Sequence, residues 1–219
     1  NVTHILGNMD LPKDLRFGEK AGNLWGAGFQ PTWADFDDDG DLDLYIANDF
    51  GFAIHPNVLW RNDGAGDNGL WKFTDISDSS GAGVAMFGMG IALGDYDIDG
   101  DLDMYVTNIG QNVLLRNDLE DLHFTDVSKQ SGVGVPNVGV HLRVSWSAMF
   151  FDYDNDRDED LFIISGKLEG MGSVLQTDKQ PNVLLRNNGD GTFSNVSDFD
   201  DPKHLGSGRG GGFLDFDDD

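Results

Sequence analysis

The chain has 219 residues, no cysteine, and 39 acidic against 14 basic side chains, for a formal charge of −25. Its length fits one large domain or two small ones of ~100–200 residues, and its 15 Phe, 5 Trp and 4 Tyr exclude a disordered acidic tail, which would be poor in rings. The net field repels phosphate, which argues against a nucleic acid or an anionic membrane surface and makes cations the natural partners. Without cysteine there are no disulfides or thiolate metal sites, a composition compatible with export. No run approaches the ~18 apolar residues of a membrane span, and Asn1-Val2-Thr3-His4 is not a signal peptide.

In chain order, the first unit offers four short apolar stretches, 28–36, 42–47, 58–60 and 71–76, separated by turn chemistry. An acidic loop, Asp35-Phe-Asp37-Asp-Asp39-Gly40-Asp41-Leu-Asp43, joins the first two, and Asn62-Asp63-Gly64 is a hairpin signal between the last two. The acidic loop returns as Asp95-Tyr-Asp97-Ile-Asp99-Gly100-Asp101-Leu-Asp103, then as Asp152-Tyr-Asp154-Asn-Asp156-Arg157-Asp158-Glu-Asp160, and is cut short as Asp215-Phe-Asp217-Asp-Asp219. These loops begin at residues 35, 95, 152 and 215, intervals of 60, 57 and 63, so the chain is an internal repeat. Asn57-Val-Leu-Trp-Arg-Asn62 recurs as Asn112-Val-Leu-Leu-Arg-Asn117 and Asn182-Val-Leu-Leu-Arg-Asn187, each followed by a Phe-x-x-x-Ser segment, Phe73 to Ser77, Phe124 to Ser128 and Phe193 to Ser197.

Four strands per repeat and no long 3.6-residue apolar stripe indicate an all-β fold of four-stranded antiparallel sheets, the blades of a β-propeller. The repeats run approximately 24–77, 83–128, 140–197 and a truncated 206–219, about 3.5 blades in a single partial propeller domain. Propellers have ~4–8 blades, so closure needs the remainder of a longer polypeptide.

Carboxylates at loop positions 1, 3 and 5 with glycine at 6 suit calcium, a hard ion that takes ~6–8 oxygens, since alternate residues of a tight loop can converge on one point. Position 7 offers a backbone carbonyl and position 9 a final carboxylate. The candidate ligand loops are therefore Asp35, Asp37, Asp39, Asp41 and Asp43; Asp95, Asp97, Asp99, Asp101 and Asp103; Asp152, Asp154, Asp156, Asp158 and Asp160; and Asp215, Asp217 and Asp219. An EF-hand needs Glu at position 12 and a helix beyond, but here position 12 is Ile46, Val106 or Ile163 in a strand-like stretch. Magnesium fits less well, because it wants rigid octahedral geometry with several waters retained. In the third loop Arg157 replaces glycine and Glu159 replaces the apolar residue at position 8, which predicts backbone strain and a site that is the weakest of the three complete ones, or empty.

The Asp-x-Asp-x-Asp-Gly-x-x-Asp loops with their Gly-rich and Phe-rich flanks resemble the FG-GAP/VCBS repeats of integrin-α-like β-propellers. The Asn-Val-Leu-x-Arg-Asn segments are similar to the subset joined to an ASPIC/UnbV domain in cartilage acidic protein-like secreted proteins. The resemblance covers about residues 17–219 and implies a seven- or eight-bladed propeller, Ca²⁺ between the first two strands of each blade, and an extracellular, cell-surface or periplasmic setting. No ASPIC/UnbV segment is visible here, and the family has no single activity.

Catalytic signals are thin. The five histidines form no metal-spaced pair, and Gly206-Ser-Gly208-Arg-Gly-Gly211 runs toward an acidic loop rather than a helix. Arg61, Arg116 and Arg186 read as structural, paired with a nearby carboxylate or carbonyl. Trp25, Trp33, Trp60, Trp71 and Trp146 read as packing between blades. Two functions remain: a non-catalytic, calcium-stabilised scaffold for adhesion, protein interaction or surface assembly, or a carbohydrate-binding lectin or polysaccharide-enzyme propeller. Exposed Trp or Tyr beside His or Arg would favour the second.

Overall fold

A computed structural model describes residues 26–67, 69–118, 122–134, 142–168, 180–197 and 207–214. Asp215, Asp217 and Asp219 of the truncated loop lie outside them, as does Trp25. The architecture is all-β. Sheet I contains β1 (Ala27–Ala34), β2 (Asp43–Asp49), β3 (Val58–Ala65) and β4 (Trp71–Asp75), followed by a single-turn helix α1 (Ser77–Ser80). Sheet II contains β5 (Ile91–Gly94), β6 (Asp103–Val106), β7 (Val113–Asp118) and β8 (His123–Asp126), followed by α2 (Ser128–Ser131). Sheet III contains β9 (Ser145–Phe151), β10 (Asp160–Ser165), β11 (Val183–Asn187) and β12 (Phe193–Asn195). Each is a four-stranded antiparallel meander with its strands in sequence order, the arrangement of propeller blades.

Strand alternation fixes what each face meets. In sheet II, Met104, Val106, Leu115 and Phe124 face sheet I and pack on Phe36, Tyr45, Ala47 and Leu59. On its other face Ala92, Tyr105 and Leu114 meet Leu161, Ile163, Leu185 and Phe193 of sheet III. Both faces of the middle sheet are thus buried, as stacked repeats require. At the first strands, the Gln30 side chain donates to Ile91 O at 3.2 Å and accepts from Ile91 N at 3.2 Å, which ties β1 to β5.

The two helices were not expected, because four residues are too few to show a helical stripe. Each ends on a left-handed glycine, Gly81 (φ 78°) and Gly132 (φ 75°), and a Cβ on Gly81 would lie 2.5 Å from Phe124 O.

The tryptophans need correction. Trp60 is buried, but Trp33 and Trp71 are 42% and 44% exposed. Trp33 pairs with Leu44, which pairs with Trp60, so all three share the face of sheet I that corresponds to the face by which sheets II and III pack on their predecessor. Among the described residues no sheet precedes sheet I.

Candidate metal centres

Each acidic loop bridges the first two strands of its sheet and folds around its own side chains. In loop one Asp35 Oδ1 accepts from Asp39 N at 3.1 Å and Asp35 Oδ2 from Gly40 N at 2.9 Å, while Asp39 Oδ1 accepts from Asp41 N at 2.9 Å. The same three bonds recur on Asp95 and Asp99 in loop two and on Asp152 and Asp156 in loop three. Position 6 takes a left-handed backbone throughout, at φ 92° for Gly40, 98° for Gly100 and 81° for Arg157. Arginine therefore bears the strain that glycine avoids.

Position 4 is also left-handed, at φ 57° for Asp38, 58° for Ile98 and 61° for Asn155. Asp and Asn tolerate that region; a β-branched Ile does not. The acid Asp38 and the amide Asn155 are the local sequence signal for this turn.

Three carboxylate groups converge. Asp35, Asp37 and Asp39 each offer an oxygen within 4.8 Å of the others, as do Asp95, Asp97 and Asp99, and as do Asp152, Asp154 and Asp160. Asp41, Asp43, Asp101, Asp103, Asp156 and Asp158 are not in these groups. Asp41 and Asp158 instead lie against Gly64 and Gly189 of the following hairpins.

Position 9 has a second task. Fully buried Asp43 accepts from Phe36 N at 3.1 Å and Asn62 N at 2.7 Å, tying loop position 2 to β3. Asp103 does the same with Tyr96 N and Asn117 N, and Asp160 with Tyr153 N and Asn187 N. Burial pushes Asp43 up to about 6 and Asp103 up to about 8, against the two N–H donors that favour the ionised form.

The residues at positions 1, 3 and 5 fit a cation on one structural observation. Asp37 Oδ1 and Asp97 Oδ1 are buried and have no hydrogen-bond partner. Burial raises both carboxyls, and repulsion from positions 5 and 1 raises them further. A buried, unpaired carboxylate oxygen among like charges is unfavourable until a positive charge meets it. Three oxygen donors of one hard type suit calcium.

The recurrent Asn-Val-Leu-x-Arg-Asn segment supports these loops. Its first asparagine accepts from the end of the second strand, Asn57 Oδ1 from Asn48 N at 2.8 Å and Asn112 Oδ1 from Asn108 N at 2.8 Å. Its arginine pairs with an aspartate two residues on, Arg61 with Asp63 at 2.7 Å and Arg116 with Asp118 at 2.8 Å. In the third copy Asn188 stands in the aspartate's place and Arg186 is exposed. Its last asparagine crosses between sheets: Asn117 Nδ2 donates to Phe36 O at 2.9 Å, and Asn187 Nδ2 to Tyr96 O at 2.7 Å. Both acceptors are position 2 of the preceding loop.

The FG-GAP-like repeat family matches residues 35–106, which run from the first aspartate of loop one to the end of β6. That stretch, about a third of the chain, is similar to an FG-GAP-like repeat. The chain is also 28% identical over 181 residues to Cartilage acidic protein 1 of Xenopus tropicalis, a match over 81% of this chain and 25% of that protein. The chain thus spans about a quarter of that relative's length. Among the described residues no helix is long and apolar enough to cross a membrane.

Proposed function

We propose that the chain is part of a non-catalytic extracellular β-propeller scaffold, stabilised by calcium and used for adhesion, protein interaction or surface assembly. The observation that carries this reading is the pair of buried, unpaired oxygens, Asp37 Oδ1 and Asp97 Oδ1, at the centre of converging carboxylates. Asp35, Asp37 and Asp39 hold one ion, Asp95, Asp97 and Asp99 a second, and Asp152, Asp154 and Asp160 a third and weaker one. A bound ion offsets repulsion and burial of charge, so its binding free energy becomes folding free energy. The FG-GAP-like match over residues 35–106 and the likeness to Cartilage acidic protein 1 support the extracellular setting. Thermal melts of the full-length protein with calcium and with chelator test the reading: calcium raises the midpoint, and equal midpoints would overturn it.

The glycan-binding alternative has one observation in its favour. Trp146 lies beside Phe29 at 6.0 Å, with the Arg209 guanidinium 4.3 Å from its ring centroid. That guanidinium covers the ring, and the indole N–H is spent on Gly166 O at 2.8 Å, so neither is open to a sugar. The scaffold reading is therefore favoured.

A further inference from the structure

Position 8 of loops two and three sits at the seam with the preceding sheet. Leu102 packs there on the apolar cluster between sheets I and II. Its counterpart in loop three is Glu159, a charged group in a leucine's place. Glu159 Oε2 is buried and has no hydrogen-bond partner. The carboxylate rests against Gly94, the last residue of β5, and would collide with any Cβ there. In sheet I the equivalent residue, opposite Asp43 as Gly94 is opposite Asp103, is Ala34. The two departures form a matched pair, since the missing methyl makes room for the acid.

The next residue is Asp95, position 1 of loop two. Its backbone N–H faces the Glu159 carboxylate, and the two acids repel each other. The Asn187 amide donates both to Tyr96 O at 2.7 Å and to Glu159 O at 3.2 Å, which holds loop three against loop two. Loop two therefore has one further acidic group beside its converging triad, supplied by the neighbouring sheet.

We propose that Glu159 is a positioning residue for the cation of loop two, a carboxylate lent by sheet III that strengthens calcium binding between Asp95, Asp97 and Asp99. The proposal rests on the calcium reading above. Without the ion, Glu159 adds repulsion and a buried unpaired oxygen; with the ion, the same charge is attractive. Its replacement thus affects the two states in opposite directions, whereas a merely structural side chain would shift both in the same direction.

The test uses Glu159→Gln in the full-length protein, with Glu159→Leu as a second variant that restores the residue found at this position in loops one and two. Calcium titration by calorimetry and melts with calcium and with chelator are the readouts. The expected result is a roughly fivefold loss of calcium affinity, the scale of one screened charge acting on a divalent ion. The chelator midpoint should stay at or above that of the wild type. The affinity loss should vanish in an Asp99→Ala background and persist in an Asp39→Ala background, which assigns it to loop two. Unchanged affinity, or midpoints falling equally with calcium and with chelator, would overturn the proposal while leaving the calcium reading intact. A wild-type protein with no calcium-dependent midpoint would sink both.

Discussion

Arg157→Gly tests how strain and charge combine in loop three. Arg157 sits at φ 81°, where an L side chain costs ~1–2 kcal/mol. Glycine removes that strain but makes the unfolded chain looser by ~0.4–1 kcal/mol. The backbone balance therefore favours glycine by roughly 1 kcal/mol. The second effect is electrostatic, because Arg157 is flanked by Asp156 and Asp158 and its N–H is bonded to Asp152 Oδ2 at 2.9 Å. With no metal present, the exposed guanidinium relieves repulsion by ~0–1 kcal/mol, and its loss cancels much of the backbone gain. With calcium bound, the arginine is a like charge beside the ion, and both effects then favour glycine. The expected outcome is a chelator midpoint within error of wild type and a calcium midpoint higher by about 2–4 °C, the shift that ~1 kcal/mol gives a domain of this size. Differential scanning calorimetry on the full-length protein measures both. A calcium-dependent gain no larger than that of the wild type would refute the reasoning, since it would mean that the charge of Arg157 does not weaken loop three.

Other outcomes follow from the same loops. Asp99→Ala should remove more calcium-dependent stability than Asp156→Ala, because Asp99 belongs to a converging triad and Asp156 does not; paired melts measure it, and equal losses count against the grouping. Ile98→Asn should stabilise the protein by about 1 kcal/mol with or without calcium, since Ile98 is exposed and holds φ 58° where Asp38 and Asn155 stand in the other loops; a lower denaturation midpoint would refute it. Stability against pH should reverse on calcium removal. Asp43 and Asp103 are raised to about 6 and about 8 in the fold, so the folded state binds more protons than the unfolded one between pH ~4 and those values. In chelator, melting midpoints should therefore climb as pH falls from ~8 to ~5, whereas in calcium they should fall as protons compete with the ion.

Periodicity and turn chemistry made the four-stranded repeat legible, because strand alternation, hairpin signals and the position-6 glycines are local properties. The triads of loops one and two were legible for the same reason, since positions 1, 3 and 5 lie within five residues, whereas loop three groups Asp160 at position 9 with Asp152 and Asp154 in place of Asp156. What stayed hidden depends on partners far along the chain. Asp43 reads as a fourth ligand from its spacing, yet its two oxygens meet Phe36 N, 7 residues away, and Asn62 N, 19 residues away. Asn117 reads as the end of a recurring motif, and nothing local shows that its amide reaches Phe36 O, 81 residues away in another sheet. Trp33 and Trp71 were misplaced because a propeller buries both faces of an interior blade, whereas one face of sheet I has no preceding sheet among the described residues.

These long-range bonds explain why a change at a loop does not stay there. Asp103 fixes position 2 of loop two to the β7 strand through Tyr96 N and Asn117 N. Tyr96 in turn presents its carbonyl to Asn187 of sheet III, and Asn117 reaches back to Phe36 of loop one. Loops one and two are thus each pinned at the same residue both to their own third strand and to the sheet that follows. An ion that orders positions 1, 3 and 5 also holds position 2 between them, and with it the seam. On the calcium reading proposed above, an ion bound in a loop would through this chain of bonds strengthen the stacking of sheets rather than a single turn.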